Sequence, residues 1–329
     1  MALAVWGHPY SEYPVGQDSL DDFRRGFERL ARSHVSTYYA FVLTHGKSYF
    51  RSRVLGEAER DLLRPAIQAG TEFDIEVHPI IGLGAVGVRG AGMYDPGEID
   101  NLPSWAGGWP CASWAENRQL TVRVAQEMLD DYEPTGLHMD YVRYPNSAVL
   151  DTHPCRCERC RTERMDWLGK EVPSLEDLQR PAVLYKEIQM RGGFVKALVQ
   201  GLRDAADDAG VPLSMAARAR YLKDAVAEGQ DWAEWAADEL VDAVCPMSYN
   251  PCNDRFARFL EEHTGLLAGS DVLWYAGIGR KSSLGEIGTP QMMEQIEMAR
   301  RAGADGICIF HANALGDEDF TALRTIDWD

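Results

Sequence analysis

The chain places an acid where an apolar strand runs out, in Gly136-Leu137-His138-Met139-Asp140-Tyr141-Val142-Arg143-Tyr144-Pro145. A buried, unpaired carboxylate is heavily penalised, so Asp140 needs a function to justify its position. Hydrolytic chemistry offers one, because it commonly needs one group to donate a proton and another to accept one or attack. Asp231, in Gln230-Asp231-Trp232, is a candidate second acid, although Asp is equally favoured there as a helix N-cap. Glu76 and the loop acids Asp95 and Glu98 are further candidates, and the choice among them stays open.

A second chemical signal is Cys155-Arg156-Cys157-Glu158-Arg159-Cys160, a spacing that wraps a tetrahedral metal. Four thiolates, or thiolates with a histidine, make a closed structural zinc site. Cys111 is the best fourth ligand because its loop adjoins the cluster's loop, and His153 is the alternative. Free thiols in an exposed loop are the competing explanation. An odd total of seven cysteines in so large a chain favours reduced thiols with a metal over a disulfide framework. Cys245 and Cys308 fall in predicted strands and read as small core residues.

The elements that must position these groups alternate along the chain. Strands are predicted near Leu3–His8, Ser36–Leu43, Phe73–Ile81, the decapeptide, Pro212–Ala217, Val241–Tyr249, Val272–Ile278 and Gly306–Phe310. Helices fall between them, near Ser19–Ser33, Glu57–Ala69, Glu116–Tyr132, Leu184–Ala209, Asp231–Leu240, Asp254–Leu267, Pro290–Ala302 and Glu318–Ile326. Such alternation implies right-handed βαβ units and a parallel sheet. Eight units over residues 1–329 predict a single α/β domain, a (β/α)8 TIM barrel with enlarged loops after strands 3 and 4. A doubly wound sheet is the alternative, although no Gly-x-Gly-x-x-Gly turn follows the first strand.

In a barrel the strand ends converge on one face. The residues expected there are His8, Thr44 and His45, His78, Asp140, Arg218 and Arg220. Met247, Tyr249 and Asn250, then Arg280, then His311 and Asn313 complete the ring. Strand alternation puts Asp74, Glu76 and His78 on the inward face of strand 3, and His138 and Asp140 on that of strand 4. Glu76 and His138 are then expected in a layer roughly 6–7 Å beneath His78 and Asp140, supporting the acid.

The composition limits the partners. A net charge of −18 repels phosphate backbones, which argues against nucleic acid and anionic membrane as partners. No stretch approaches the roughly 18 apolar residues of a membrane span. The N-terminus enters a strand without a charged leader region, which suggests a cytoplasmic protein, although a chain with its leader removed would read the same.

The stretch Thr135–Pro145, Pro246-Met247-Ser248-Tyr249, Gln230-Asp231-Trp232 and Gly277-Ile278-Gly279 together resemble the glycosyl-hydrolase-like family 10 group of TIM-barrel proteins. The resemblance implies glycoside hydrolysis with Asp140 in the site. The decapeptide and Met247-Ser248-Tyr249 are also similar to motifs of chitinase-like family 18 enzymes. Here, however, Val142 stands where their general-acid Glu would be, or Arg143 if one residue is skipped. The cysteine run is similar to the zinc loop of family 42 β-galactosidases, which implies metal ligation by Cys111, Cys155, Cys157 and Cys160.

The leading expectation is therefore a glycosidase acting on a poly- or oligosaccharide, with no organic cofactor. Trp105, Trp109 and Trp114 would stack on sugar rings or anchor the loop. Arg143, Arg218, Arg220 and Arg280 hint at an anionic sugar, and surface ion pairing explains them equally. Substrate contacts are expected from His8, His78, Arg143, Arg218, Tyr249, Asn250, Arg280 and His311. The alternatives are a non-catalytic carbohydrate-binding barrel and a metal-dependent hydrolase with His8, His78, His311 and Asp140 as ligands.

Overall fold

The structure is a computed structural model, and it describes residues 1–44, 47–56, 58–86, 92–94, 108–146, 150 and 153–328. Eight parallel strands close on themselves: β1 (Ala2–Gly7), β2 (Thr37–Ala40), β3 (Glu76–Ile81), β4 (Leu137–Met139), β5 (Leu213–Ala217), β6 (Ala243–Pro246), β7 (Leu273–Gly279) and β8 (Gly306–Phe310). Neighbours in sequence are neighbours in the barrel, and β8 pairs back onto β1, from Ala2 opposite Gly306 to Trp6 opposite Phe310. The fold is the expected (β/α)8 barrel, and closure removes the doubly wound alternative.

The outer ring consists of α1 (Leu20–Ala31), α2 (Leu63–Phe73), α3 (Ala115–Tyr132), α4 (Pro181–Ala209), α5 (Trp232–Ala237), α6 (Asn253–Leu266), α7 (Thr289–Arg301) and α8 (Asp317–Leu323). A capping box starts α1, with Ser19 and Asp22 each bonding the other's backbone N–H, and Phe23, Phe27 and Leu30 pack inward. The second helix starts later than the sequence pattern predicts, at Leu63 rather than near Glu57. Pro65 is tolerated only in a first turn, and an earlier start would bury it in the helix interior. Asp74, expected in strand 3, is instead the left-handed C-cap of α2, with φ of 57°.

Inside the barrel an apolar plug contains Ala4, Trp6, Tyr39, Ile80, Cys245 and Cys308, so both cysteines are core residues as expected. One polar line crosses it. The Trp6 indole N–H donates to His138 Nε2 (3.0 Å), and His138 Nδ1 lies 2.8 Å from Ser214 Oγ. With Nε2 accepting, the ring proton belongs on Nδ1. Burial holds the His138 pKa well below the ordinary imidazole value, keeping the ring neutral.

The inward parity of β3 and β4 is as expected, but the heights are not. Tyr39 pairs with His78, and Ile80 pairs with His138. His78 therefore lies one layer below His138, deep in the barrel rather than at its mouth, because β3 continues to Ile81. Glu76 opens β3 at the far end, its side chain 58% exposed and 3.6 Å from His78 Nε2. His138 does lie beneath Asp140, whereas Glu76 is too low to support it.

Candidate active site

The backbone fixes Asp140 before any side chain does. β4 ends at Met139, the Asp140 N–H donates to the Ile81 carbonyl (3.0 Å), and the chain then turns at Tyr141 with φ of 56°. Gly82 follows β3 at the same height, and a Cβ there would fall 1.6 Å from the Asp140 carbonyl oxygen. Only glycine permits this approach. Asp140 is 6% exposed, and its Oδ1 accepts from the Tyr141 N–H (2.6 Å) and from Arg143 Nη1 (2.9 Å). Its Oδ2 has no hydrogen-bond partner among the described residues.

Arg143 begins a line of alternating charge. Its Nε lies 3.5 Å from the fully buried Glu228, which also holds Arg218 Nε at 3.1 Å. Arg218 Nη2 is 3.5 Å from Asp224, whose two oxygens accept from Arg220 at 2.7 and 3.0 Å. The order Asp140, Arg143, Glu228, Arg218, Asp224, Arg220 links the end of β4 to the loop after β5. Sequence reasoning missed Glu228 and Asp224. The available signal was the pair Arg218 and Arg220, which require counter-ions close by.

Above this line opens a cavity of about 950 Å³ lined by aromatic groups, among them Phe41, Trp109, Tyr141, Tyr249 and Phe310. His8 stacks on Phe41 with centroids 4.8 Å apart and meets His311 edge-on at 5.2 Å. Burial, reinforced by His311, lowers the His8 pKa to about 4, so it offers a neutral imidazole. Of the residues expected at the site, His8, Asp140, Arg143, Arg218, Tyr249 and Asn250 line this cavity.

Others are placed elsewhere. Asp231 caps α5, accepting from the Glu234 N–H (3.2 Å) and from the Tyr221 hydroxyl. The N-cap alternative therefore describes it, and it is not a cavity residue. Arg280 is held by both oxygens of Asp319 at 3.1 Å and by the Ile287 carbonyl, tying the end of β7 to α8. His311 bonds Asn313 beside the cavity. Trp109 lines the cavity and donates to the Arg143 carbonyl (3.2 Å), whereas Trp114 caps α3 under Arg159. His45, Asp95, Glu98 and Trp105 lie outside the described residues.

The cysteines converge. Among the described residues the only group of side chains assembled for metal binding is Cys111, Cys155, Cys157 and Cys160, all buried, with sulfurs within 4.8 Å of one another. This corrects the alternative of a histidine-ligated metal, since His78 lies deep in the barrel away from His8 and His311. The Cys111 sulfur is 3.5 Å from Cys155, 3.5 Å from Cys157 and 3.7 Å from Cys160. A tetrahedron with Zn–S bonds of about 2.3 Å has corners about 3.8 Å apart, so the donor set fits such an ion. Tyr144 places its hydroxyl 3.3 Å from Cys111, and its N–H donates to the Glu228 carbonyl, joining the cluster to the charged line. Cys157 is also the N-cap of a loop helix, Glu158–Leu168, which the sequence pattern did not predict.

No protein-family profile matches the chain, and no curated protein matches it. Solved structures do. The PgaB (BpsB) glycoside hydrolase domain from Bordetella bronchiseptica superposes with a TM-score of 0.72 at 14% identity, covering 98% of this chain and 95% of that one. A β-galactosidase from the psychrophilic Marinomonas ef1 gives 0.68 at 10% identity, covering 98% and 58%. A chitinase from Chromobacterium violaceum gives 0.57 at 11% identity, covering 98% of both chains. At these identities the likeness establishes the shared barrel.

Proposed function

We propose that the chain is a glycoside hydrolase acting on an oligo- or polysaccharide, with Asp140 as a catalytic carboxylate. The observation that carries this reading is an oriented, buried carboxylate on the floor of an aromatic-walled cavity at the C-terminal face of a barrel. Aromatic faces suit the C–H faces of sugar rings, and neutral His8 with Asn250 suits their hydroxyls. The similar structures, named for glycoside-cleaving activity, support the same reading.

Arg143 and the Tyr141 N–H fix Oδ1 of Asp140, leaving Oδ2 to attack the anomeric carbon or to take a proton from water. The reaction also needs a proton donor to the departing oxygen. Asp224 is in the wall, but Arg220 engages both its oxygens, which suits a positioning carboxylate better than a donor. For that donor we propose Asp95 or Glu98, the acids that the sequence places in the loop after the third strand. The four cysteines would hold a structural zinc, which would cross-link the two enlarged loops and take no part in the reaction.

The test is turnover on a panel of polysaccharides, followed by reducing-end release. Asp140→Asn is expected to lower kcat by about 10³-fold with little change in glycan binding, on the usual scale for positioned acid–base groups. Retained turnover would remove Asp140 from the mechanism. Glycan binding without any product from the native chain would replace the hydrolase with a binding barrel. Asp95→Asn and Glu98→Gln separate the donor candidates by which one abolishes the alkaline limb of the pH–rate profile.

A further inference from the structure

The described cavity wall holds five arginines, Arg143, Arg218, Arg220, Arg255 and Arg258, against two carboxylates, Asp140 and Asp224. The whole chain has a net charge of −18, so this local excess of positive charge runs against the field of the molecule. Three of the five arginines belong to the alternating line described above. Arg255 and Arg258 do not. Both are exposed on the wall, and neither guanidinium has an ion pair or hydrogen bond among the described residues. Elsewhere on the surface, Arg24, Arg29, Arg32 and Arg301 each pair with an acid.

Their position in the helix adds to the argument. Arg255 lies in the first turn of α6, where a cation opposes the helix dipole, and Arg258 follows at i+3 on the same face. Phe259 beside them also lines the cavity, giving an apolar surface next to the two guanidinium groups. A guanidinium fork binds carboxylate and sulfate oxygens through paired N–H donors, and it gains most where water is partly excluded.

We propose that Arg255 and Arg258 form a subsite for an anionic sugar, binding a ring-borne oxyanion of the substrate. This rests on the hydrolase reading for the word substrate, but the anion site itself does not depend on turnover. The oxyanion is the carboxylate of a uronic acid or a sulfate ester, and the two share the same recognition by arginine. Arg218 and Arg220, anchored by Glu228 and Asp224, form the rigid, charge-balanced side of the same wall, so its unbalanced positive charge is that of Arg255 and Arg258.

Calorimetric binding of gluco- and galacto-configured tetrasaccharides, each in neutral, C6-oxidised and 6-O-sulfated form, tests this. The native chain is expected to bind an oxidised or sulfated form at least about tenfold more tightly than its neutral counterpart, and the favoured arm identifies the anion. Raising the salt concentration should reduce the preference. The double variant R255Q/R258Q should lose the preference while unfolding at the native temperature. Equal binding of neutral and charged forms, or a preference that survives in the double variant, overturns the proposal. Binding of none of the six overturns it as well. Anion-selective binding without hydrolysis of any glycan upholds the subsite and rejects the hydrolase. Hydrolysis of neutral glycans without anion preference does the reverse.

Discussion

Asp140 and Arg143 hold each other in place, and both are nearly inaccessible to water. Removing one partner leaves the other buried without its counter-charge, which costs far more than an intact pair contributes. Arg143→Ala is therefore expected to destabilise the fold by about 3–5 kcal/mol in urea unfolding, because it strips both Asp140 and Glu228 of a partner. Arg143→Lys keeps the charge and loses the planar fork, so a smaller loss of stability with a large loss of kcat is expected. Asp140 and Arg143 were legible in the sequence because they belong to one strand end. Glu228 and Asp224 were not, because only the returning loop after β5 brings them to Arg143 and Arg218. Glu76 shows a different limit: alternation gives the face a side chain occupies but not its height, which depends on the register with the neighbouring strand.

At the scale of elements, the loop helix Glu158–Leu168 has no apolar face and buries only Cys160 and Arg164. Periodicity could not reveal it, since sulfur and charge hold it instead of hydrophobic packing. Arg164 donates to the Cys155 carbonyl (2.6 Å) and pairs with the fully buried Glu187 of α4. The meeting of the four cysteines, by contrast, was legible in their spacing, including the distant member Cys111. Elemental analysis is expected to find one zinc per chain, and Cys157→Ser is expected to lose it. Limited proteolysis of that variant, or of chelator-treated protein, should cut first around Glu158–Leu168 while the barrel still unfolds at nearly the native temperature. An unchanged cleavage pattern would mean that the metal does not tie this loop.

For the whole molecule, the telling feature is how it buries histidine. Burial lowers the pKa of His138 well below normal, and it brings His8 and His263 down to about 4. Between about pH 6.5 and 4 the unfolded chain binds protons that these folded rings refuse, so stability falls as pH falls. Each ring contributes up to about 1.4 kcal/mol per pH unit across its own window. Glu12 acts in the opposite sense. Burial raises its pKa to about 7, so the folded state takes up its proton first and gains relative stability on acidification from about 7 towards 4.5. Three rings outweigh one carboxylate, and the unfolding temperature is expected to drop as pH is lowered from 6.5 to 4.5. A flat or rising profile would contradict the neutral assignment of His138. Composition and alternation were enough to predict the closed barrel, because eight βα units leave few other ways to bury their strands. They could not reveal the neutral line from Trp6 through His138 to Ser214, which depends on three strands meeting.

The missing side chain at Gly82 separates what can vary in this molecule from what cannot. The acid is set by main chain resting on main chain, with a carbonyl where a Cβ would otherwise be, whereas the arginines and Trp109 above it hang from loops and from α6. The floor is a fixed tool bed and the walls are interchangeable fittings. Segments carrying Arg255, Arg258 or Trp109 can be exchanged to change the glycan without resetting Asp140, whereas Gly82→Ala alone is enough to displace it.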